Sequence, residues 1–273
     1  MPAAEPIPEP IPISDLIPAV VAAAREAAAM ALARWRTEFR QWEKTPGSPV
    51  CEVDLDVDRM LHARLNALVP DAGWLSEETA DKPDRLAARR VWVVDPIDGT
   101  RDYIRGREGW AVSVALVEDG RPVIGVLAAP ARGELWLAQA GGGATRNGRT
   151  LSAGYCRQMP GARVPVDALP KADRDLVAVF KPNSIALRIA MVAADEADLV
   201  ATLRWGNEWD IAAAALIASE AGAGVADALG QPLLFNKPDP RAFGVLVTAR
   251  GLQAPALERL TPRAREVIVP VTG

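Results

Sequence analysis

The segment VWVVDPIDGT at residues 91–100 constrains this chain more than any other. Four consecutive apolar residues, three of them β-branched, read as a strand buried on both faces. Such a strand needs a layer packed on each side, which predicts a layered mixture of helices and sheets. The run stops at two aspartates, Asp95 and Asp98, three positions apart. Burying an isolated carboxylate is costly, so acids at the end of a buried strand are normally paired or metal-bound. Asp, Pro and Gly are also turn formers, and a plain turn explains Pro96 and Gly99. It does not explain two acids followed by Gly-Thr before a helical turn. A turn with the acids three apart can aim both carboxylates at one place. Hard oxygen ligands suit Mg²⁺, which keeps waters and accepts substrate phosphate oxygens. Gly99 lets backbone approach a ligand closely. The N–H groups of Gly99, Thr100 and Arg101 suit a phosphate, and the Thr100 hydroxyl can orient a water.

The flanking sequence supplies the layers. Leu16, Val20, Ala23, Ala27, Met30, Leu32 and Trp35 recur at helical spacing, predicting a helix capped by Ser14 or Asp15 and ending near Arg40. Pro46, Gly47 and Pro49 predict a loop over 43–49. A second helix is expected over 54–68, stopping before Pro70. Segments 111–117, 123–128 and 134–138 read as an antiparallel meander. The glycine-rich stretch 141–148 follows a strand and precedes no helix, so it reads as a hairpin loop rather than a phosphate cradle. Weak periodicity over 151–171 divides the chain. Residues 1–150 form an N-terminal α+β half with the DPIDGT site, and residues 151–273 a C-terminal α/β half. Strands are expected there at 176–180, 225–228 and 244–248, and helices at 184–194 and 210–221.

Composition excludes several functions. The net charge is −4, so no broad basic field attracts a nucleic-acid polymer. No uninterrupted apolar run reaches the roughly 18–20 residues of a membrane span. The acidic, proline-rich N-terminus lacks the features of a signal peptide and reads as an extended arm. The expected location is the cytoplasm, where Cys51 and Cys156 stay free thiols. The one histidine, His62, lies on a predicted helix face, which argues against a Ser-His-Asp relay or a histidine-rich zinc site. No GxxxxGK[ST] phosphate loop occurs.

Other acids stand in notable places, each with a plain structural explanation. Glu77-Glu78 follows the short apolar stretch Trp74-Leu75-Ser76 and could be a solvated loop. Asp210 follows Glu208-Trp209, opens the small-residue run IAAAALIASEAGA, and could simply cap it. Asp54 could cap the second helix.

Together and in this order, these residues resemble the lithium-sensitive, magnesium-dependent phosphatase superfamily. It includes inositol monophosphatases, fructose-1,6-bisphosphatases and 3'(2'),5'-bisphosphate nucleotidases. The matching positions are Asp54, Glu77-Glu78, Asp95-Pro96-Ile97-Asp98-Gly99-Thr100 and Trp209-Asp210. GTRDYI, NEWDIAAAALIASEAG and the later Phe235-Asn236-Lys237 look closest to the bisphosphate nucleotidases. Two departures are Cys51, where the family commonly has threonine, and the turn Lys181-Pro182-Asn183-Ser184.

The resemblance implies an α+β fold, a layered α/β/α/β/α sandwich. It implies two or three Mg²⁺ ions on Glu77, Asp95, Asp98, Asp210 and the Ile97 carbonyl, with inhibition by Li⁺. It implies that Thr100, hydrogen-bonded to Asp54, polarises the attacking water, with Glu78 supporting an outer metal. Gly99, Thr100, Arg101, Lys181, Arg204 and Glu208 are then the expected substrate contacts, and Arg188 and Trp205 lie nearby in sequence. The implied reaction is hydrolysis of a small phosphorylated metabolite. 3'-Phosphoadenosine 5'-phosphate comes first and inositol 1-phosphate second, and a homodimer is possible. Two other readings stay open. A phosphatase with an aspartyl nucleophile has DxDGT with acids two apart, not three. A non-catalytic phosphate-binding relative should have lost a metal ligand or the threonine.

Overall fold

The structure is a computed structural model and describes residues 11–268. The proline-rich arm expected at the N-terminus lies mostly outside the described residues. In chain order, the first elements are α1 (Ile13–Arg34), β1 (Gln41–Thr45), β2 (Ser48–Cys51), α2 (Glu52–Leu68), β3 (Gly73–Ser76), β4 (Arg90–Asp98) and α3 (Thr100–Ile104). The meander follows as β5 (Ala111–Glu118), β6 (Arg121–Ala129), β7 (Glu134–Gln139), β8 (Gly143–Arg146) and β9 (Arg149–Thr150). The second half contains β10 (Arg163–Pro165), β11 (Val177–Val179), α4 (Ile185–Ala193), β12 (Leu199–Asn207), α5 (Glu208–Glu220), β13 (Gly224–Ala226), β14 (Arg241–Thr248) and α6 (Gln253–Val267).

The buried strand is β4, second in a seven-stranded sheet ordered β3-β4-β5-β6-β7-β8-β9. β3 runs parallel to β4, and the other neighbours are antiparallel. Side chains alternate across a strand, and the alternation of β4 assigns the two faces. Trp92 and Val94 pack with Leu16, Val20 and Leu61 of α1 and α2. Val91 and Val93 pack with Ile189 of α4 and with Ala213 and Ile217 of α5. Beyond α4 and α5 lies a three-stranded sheet, β12-β14-β13. Val200, Val245 and Val247 face inward to that helix layer, while Leu199 and Leu246 face outward to Leu252, Ala256 and Leu260 beside and on α6. The order is helix, sheet, helix, sheet, helix, the sandwich expected from the sequence.

α5 explains its own alanines. It lies between both sheets, so nearly every face is buried, from Ile211 to Ala218 without interruption. A Cβ on Gly125 of β6 would come within 2.6 Å of the Ala213 carbonyl oxygen. Helix backbone and sheet therefore touch, and larger side chains do not fit between them.

Several elements differ from the sequence reading. Residues 41–51 form the hairpin β1–β2 instead of a loop, because Pro46-Gly47 is its turn, with Gly47 at φ +82°. α1 stops at Arg34, since Trp35 is extended and Arg36 adopts φ +63°. Its 22 residues have the length and apolar character of a membrane span, but Leu16, Val20, Ala23, Ala24, Ala27, Ala28 and Ala31 are buried in the core. The glycine-rich stretch supplies β8, and Glu220 of α5 accepts the N–H groups of Gly141 and Gly143, each at 2.8 Å. β12 and α6 have no counterpart among the elements expected from the sequence.

Candidate active site

β4 does not run straight to its end. Asp95 pairs with Ser113 and Asp98 with Ala111, so three steps on β4 match two on β5. On a regular strand, residues three apart face opposite sides. The extra residue of this bulge brings both aspartates to one side. The Ile97 N–H donates to Asp95 Oδ1 at 3.0 Å and closes the turn. Gly99 follows at φ +95°, where a Cβ would meet the Gly109 carbonyl oxygen at 2.6 Å and the Ser184 nitrogen at 2.9 Å. Only glycine fits there.

Other elements end at the same place. β3 delivers Glu77, whose N–H donates to the Val94 carbonyl at 3.3 Å. α5 delivers Asp210 and α2 delivers Asp54. Neither aspartate is the cap itself. Each is the third helical residue and reaches back to the capping residue: the Cys51 N–H donates to Asp54 Oδ2 at 2.8 Å, and the Asn207 N–H to Asp210 Oδ2 at 3.1 Å. These reciprocal caps fix both carboxylates. Carboxylate oxygens of Glu77, Asp95 and Asp210 lie within 4.8 Å of one another. They open on a cleft of about 440 Å³ that is also lined by Ile97, Asp98, Gly99, Thr100 and Arg101.

Asp98 is anchored from the opposite half. Its Oδ2 accepts the Ser184 hydroxyl and the Ala186 N–H, the latter at 2.7 Å, at the start of α4. Ser184 is the cap of α4, its side chain accepting the Leu187 N–H; in the sequence it stood only at the start of the expected helix. Its hold on Asp98 is long-range and was not legible there.

The acids are short of positive charge. Burial, then repulsion from Glu77, Asp98 and Asp210, holds the Asp95 carboxyl well above the usual range. Burial, then Asp98 and Glu77, pushes Asp210 up to about 8. Burial raises Asp98 to about 6 against the hydrogen bonds from Ser184 and Ala186. A crowd of buried hard-oxygen donors that retain protons for lack of a counter-charge fits a divalent cation such as Mg²⁺.

The pair expected to polarise a water, Thr100 and Asp54, is also together. Thr100 Oγ1 lies 3.0 Å from the Ile97 carbonyl oxygen and 3.4 Å from Asp54 Oδ1. Burial raises Asp54 to about 6. Glu78 does not line the cleft; its Oε1 pairs with Lys44 Nζ at 2.6 Å. His62 is exposed on α2, edge-on to Trp74 and outside the cleft.

The expected substrate residues divide. Arg101, Lys181 and Arg204 line the cleft, and Lys181 also pairs with Asp167. Arg188 lines it too, with its guanidinium donating to the Pro182 and Asn183 carbonyls at 2.8 and 2.6 Å. Glu208 departs from the expectation. It is fully buried and accepts the N–H groups of Asn236 and Lys237. Residues two apart on a helix do not share a face, so with Asp210 aimed at the cleft Glu208 points elsewhere. Trp205 meets Phe243 edge-to-face, with ring centroids 5.4 Å apart.

Two recesses adjoin the cleft. One, of about 590 Å³, has the apolar residues Val164, Leu176, Leu199 and Leu260 and shares Lys181, Ile185 and Arg188 with the cleft. The other, of about 830 Å³, contains Arg36, Arg105 and Arg107 and shares Arg101, Lys181 and Asn183. Lys181 stands where all three meet.

Known proteins are similar to this chain over most of its length. The model of the inositol monophosphatase family matches residues 13–268. A 3'(2'),5'-bisphosphate nucleotidase CysQ of Aggregatibacter actinomycetemcomitans is 32% identical over 209 residues, spanning 71% of this chain and 77% of the relative. A fructose-1,6-bisphosphatase/inositol-1-monophosphatase of Thermotoga maritima is 34% identical over 194 residues, spanning 67% of this chain and 72% of the relative. A solved inositol monophosphatase from Thermotoga maritima superposes with a TM-score of 0.76 at 25% identity, covering 92% of this chain and 98% of that one. A bulged strand end and two reciprocally capped helices gather the acids, and the match spans nearly all the described residues: the chain belongs to the inositol monophosphatase family, whose members include phosphatases.

Proposed function

We propose that this chain is a magnesium-dependent, lithium-inhibited phosphomonoesterase acting on a nucleoside 3',5'-bisphosphate such as 3'-phosphoadenosine 5'-phosphate. The observation that carries the substrate class is the pair of recesses meeting at Lys181, one apolar and one rich in arginine. A bisphosphate nucleotide has a matching layout, with a scissile phosphate, a flat apolar base and a second anion. The CysQ relative, named for that activity, supports the same reading.

Glu77, Asp95, Asp98, Asp210 and the Ile97 carbonyl would hold the magnesium. Bound there, magnesium supplies charge neutralisation at the phosphate and makes an attacking water more acidic. The chain's own residues do the rest. Thr100 Oγ1 accepts a hydrogen from the water while its own hydrogen turns from the Ile97 carbonyl toward Asp54 Oδ1. Asp54, raised to about 6 by burial, is a base matched to neutral pH. The Cys51 N–H and thiol, 2.8 and 2.9 Å from Asp54 Oδ2, fix that carboxylate so that Oδ1 is left for Thr100. Arg204, exposed beside Asp210 at the cleft wall, orients the anionic substrate. No histidine is needed, in keeping with a chain whose one histidine is remote.

The Thermotoga maritima relative favours a second reading, an inositol-1-monophosphatase. A polyol would leave the apolar recess empty. The two are separated by kcat/KM for adenosine 3',5'-bisphosphate against myo-inositol 1-phosphate. The expected ratio is well above one, and a ratio below one reverses the assignment.

A further inference from the structure

Lys44 was silent in the sequence and is conspicuous in the structure. It lies on β1 where the hairpin register slips between Glu43 and Thr45. The slip turns its side chain toward the end of β3. There its Nζ lies 2.6 Å from Glu78 Oε1, 3.2 Å from Glu77 Oε1 and 3.3 Å from the Glu77 carbonyl oxygen. An ammonium has three donors, and here it has three acceptors. The Glu78 side chain is only 4% exposed. Without Lys44 it would be a buried acid with no cationic partner, which is costly. Glu77 is at the same time one of the three carboxylates that converge in the cleft. The ammonium thus sits on the outer flank of the acids that gather the metal.

The hairpin is tied down at a second point. The Arg101 guanidinium donates to the Gly47 carbonyl, and Gly47, Ser48 and Pro49 form part of the cleft wall. Lys44 is therefore held by the fold.

We propose that the Lys44 ammonium is a built-in cation on the outer side of Glu77 and Glu78, standing where a further divalent ion would otherwise bind. The inference rests on the metal-dependent reading above. A divalent cation on Glu78 Oε1 and the Glu77 carbonyl needs the same hard oxygens that Lys44 holds, and two cations at that separation repel. The chain consequently loads one ion fewer than its acids allow, and Glu78 is reserved for the lysine. Lys44 is a positioning residue in this account: it sets how many ions bind and seats the hairpin, and touches no substrate.

The test counts bound Mn²⁺ by EPR and calorimetry on the full chain. It compares the parent protein with Lys44→Met, Lys44→Gln and Lys44→Arg. Met and Gln should each gain one Mn²⁺ equivalent, Arg should keep the parent number, and adding Glu78→Gln to Lys44→Met should remove the gained ion. Two neutral variants guard against one failing to fold, which circular dichroism reports. Equal numbers in the parent and a folded neutral variant, or a gained ion that survives Glu78→Gln, overturn the role of Lys44 alone. A parent protein that binds no Mn²⁺ overturns the metal reading itself, and this inference with it.

Discussion

At the scale of single residues, the proposed chemistry depends on carboxylates that are themselves held by hydrogen bonds. Asp54 is fixed by Cys51, Asp98 by Ser184 and Ala186, and Asp210 by the Asn207 N–H. In the proposed mechanism Thr100 is the link between the acids and the attacking water. Thr100→Val keeps the shape and removes the hydroxyl. Steady-state kinetics should show kcat lower by about 10²–10⁴-fold, the usual range for a lost proton-transfer group, with KM nearly unchanged. An unchanged kcat would take Thr100 out of the mechanism. The residues with local signals were legible: turn formers around Asp95 and Asp98, and helix starts at Asp54 and Asp210. Lys44 and Ser184 act through contacts 33 or more positions away in sequence, and no local pattern carries such contacts. Glu208 was expected beside Asp210 at the cleft, but residues two apart on a helix face different sides, and it turns to the Asn236 N–H instead.

Among the elements, legibility followed apolar patterning. β4 and the meander have continuous apolar runs and stand where they were expected. β12 was missed because Arg204, Trp205 and Gly206 break its pattern, and its Thr202 to Trp205 register is itself irregular. α6 contains Pro255 and Pro262, and Pro262 lies inside the helix, so it reads as a broken segment. The β1–β2 hairpin is exposed along Gln41–Thr45 and had no buried face to announce it. α5 is the element on which the two sheets depend. Gly125→Ala would drive a methyl to 2.6 Å from the Ala213 carbonyl oxygen. Overpacking of this kind costs about 1–3 kcal/mol, and chemical denaturation should show it. A stability equal to the parent's would mean that α5 can move away from β6.

The molecule as a whole concentrates acids where the sandwich layers meet. Residues from both sides of position 150, such as Val93 and Ala213, share one core, so the cleft between the halves is held by common packing. With the folded pKa of Asp54, Glu78, Asp98 and Asp210 at about 6, 7, 6 and 8 and unfolded carboxyls near ~4, the sign of the pH dependence is fixed. Between those values the folded state retains protons that the unfolded state has lost, so stability falls as pH rises. The metal-free protein should melt at a progressively lower temperature from about pH 5 to pH 8, and Mg²⁺ should restore most at the alkaline end. A metal-free Tm that rises over this interval would contradict the charge account of the site.

The central claim, that these carboxylates hold the magnesium on which hydrolysis depends, is tested most directly by phosphate release from adenosine 3',5'-bisphosphate. Metal-stripped protein would be titrated with MgCl₂ beside Asp210→Asn. The expected result is background release without Mg²⁺, a saturable rise on its addition, and no comparable rise in the variant. Undiminished release in excess EDTA, or an Asp210→Asn curve that overlies the parent's, would contradict it.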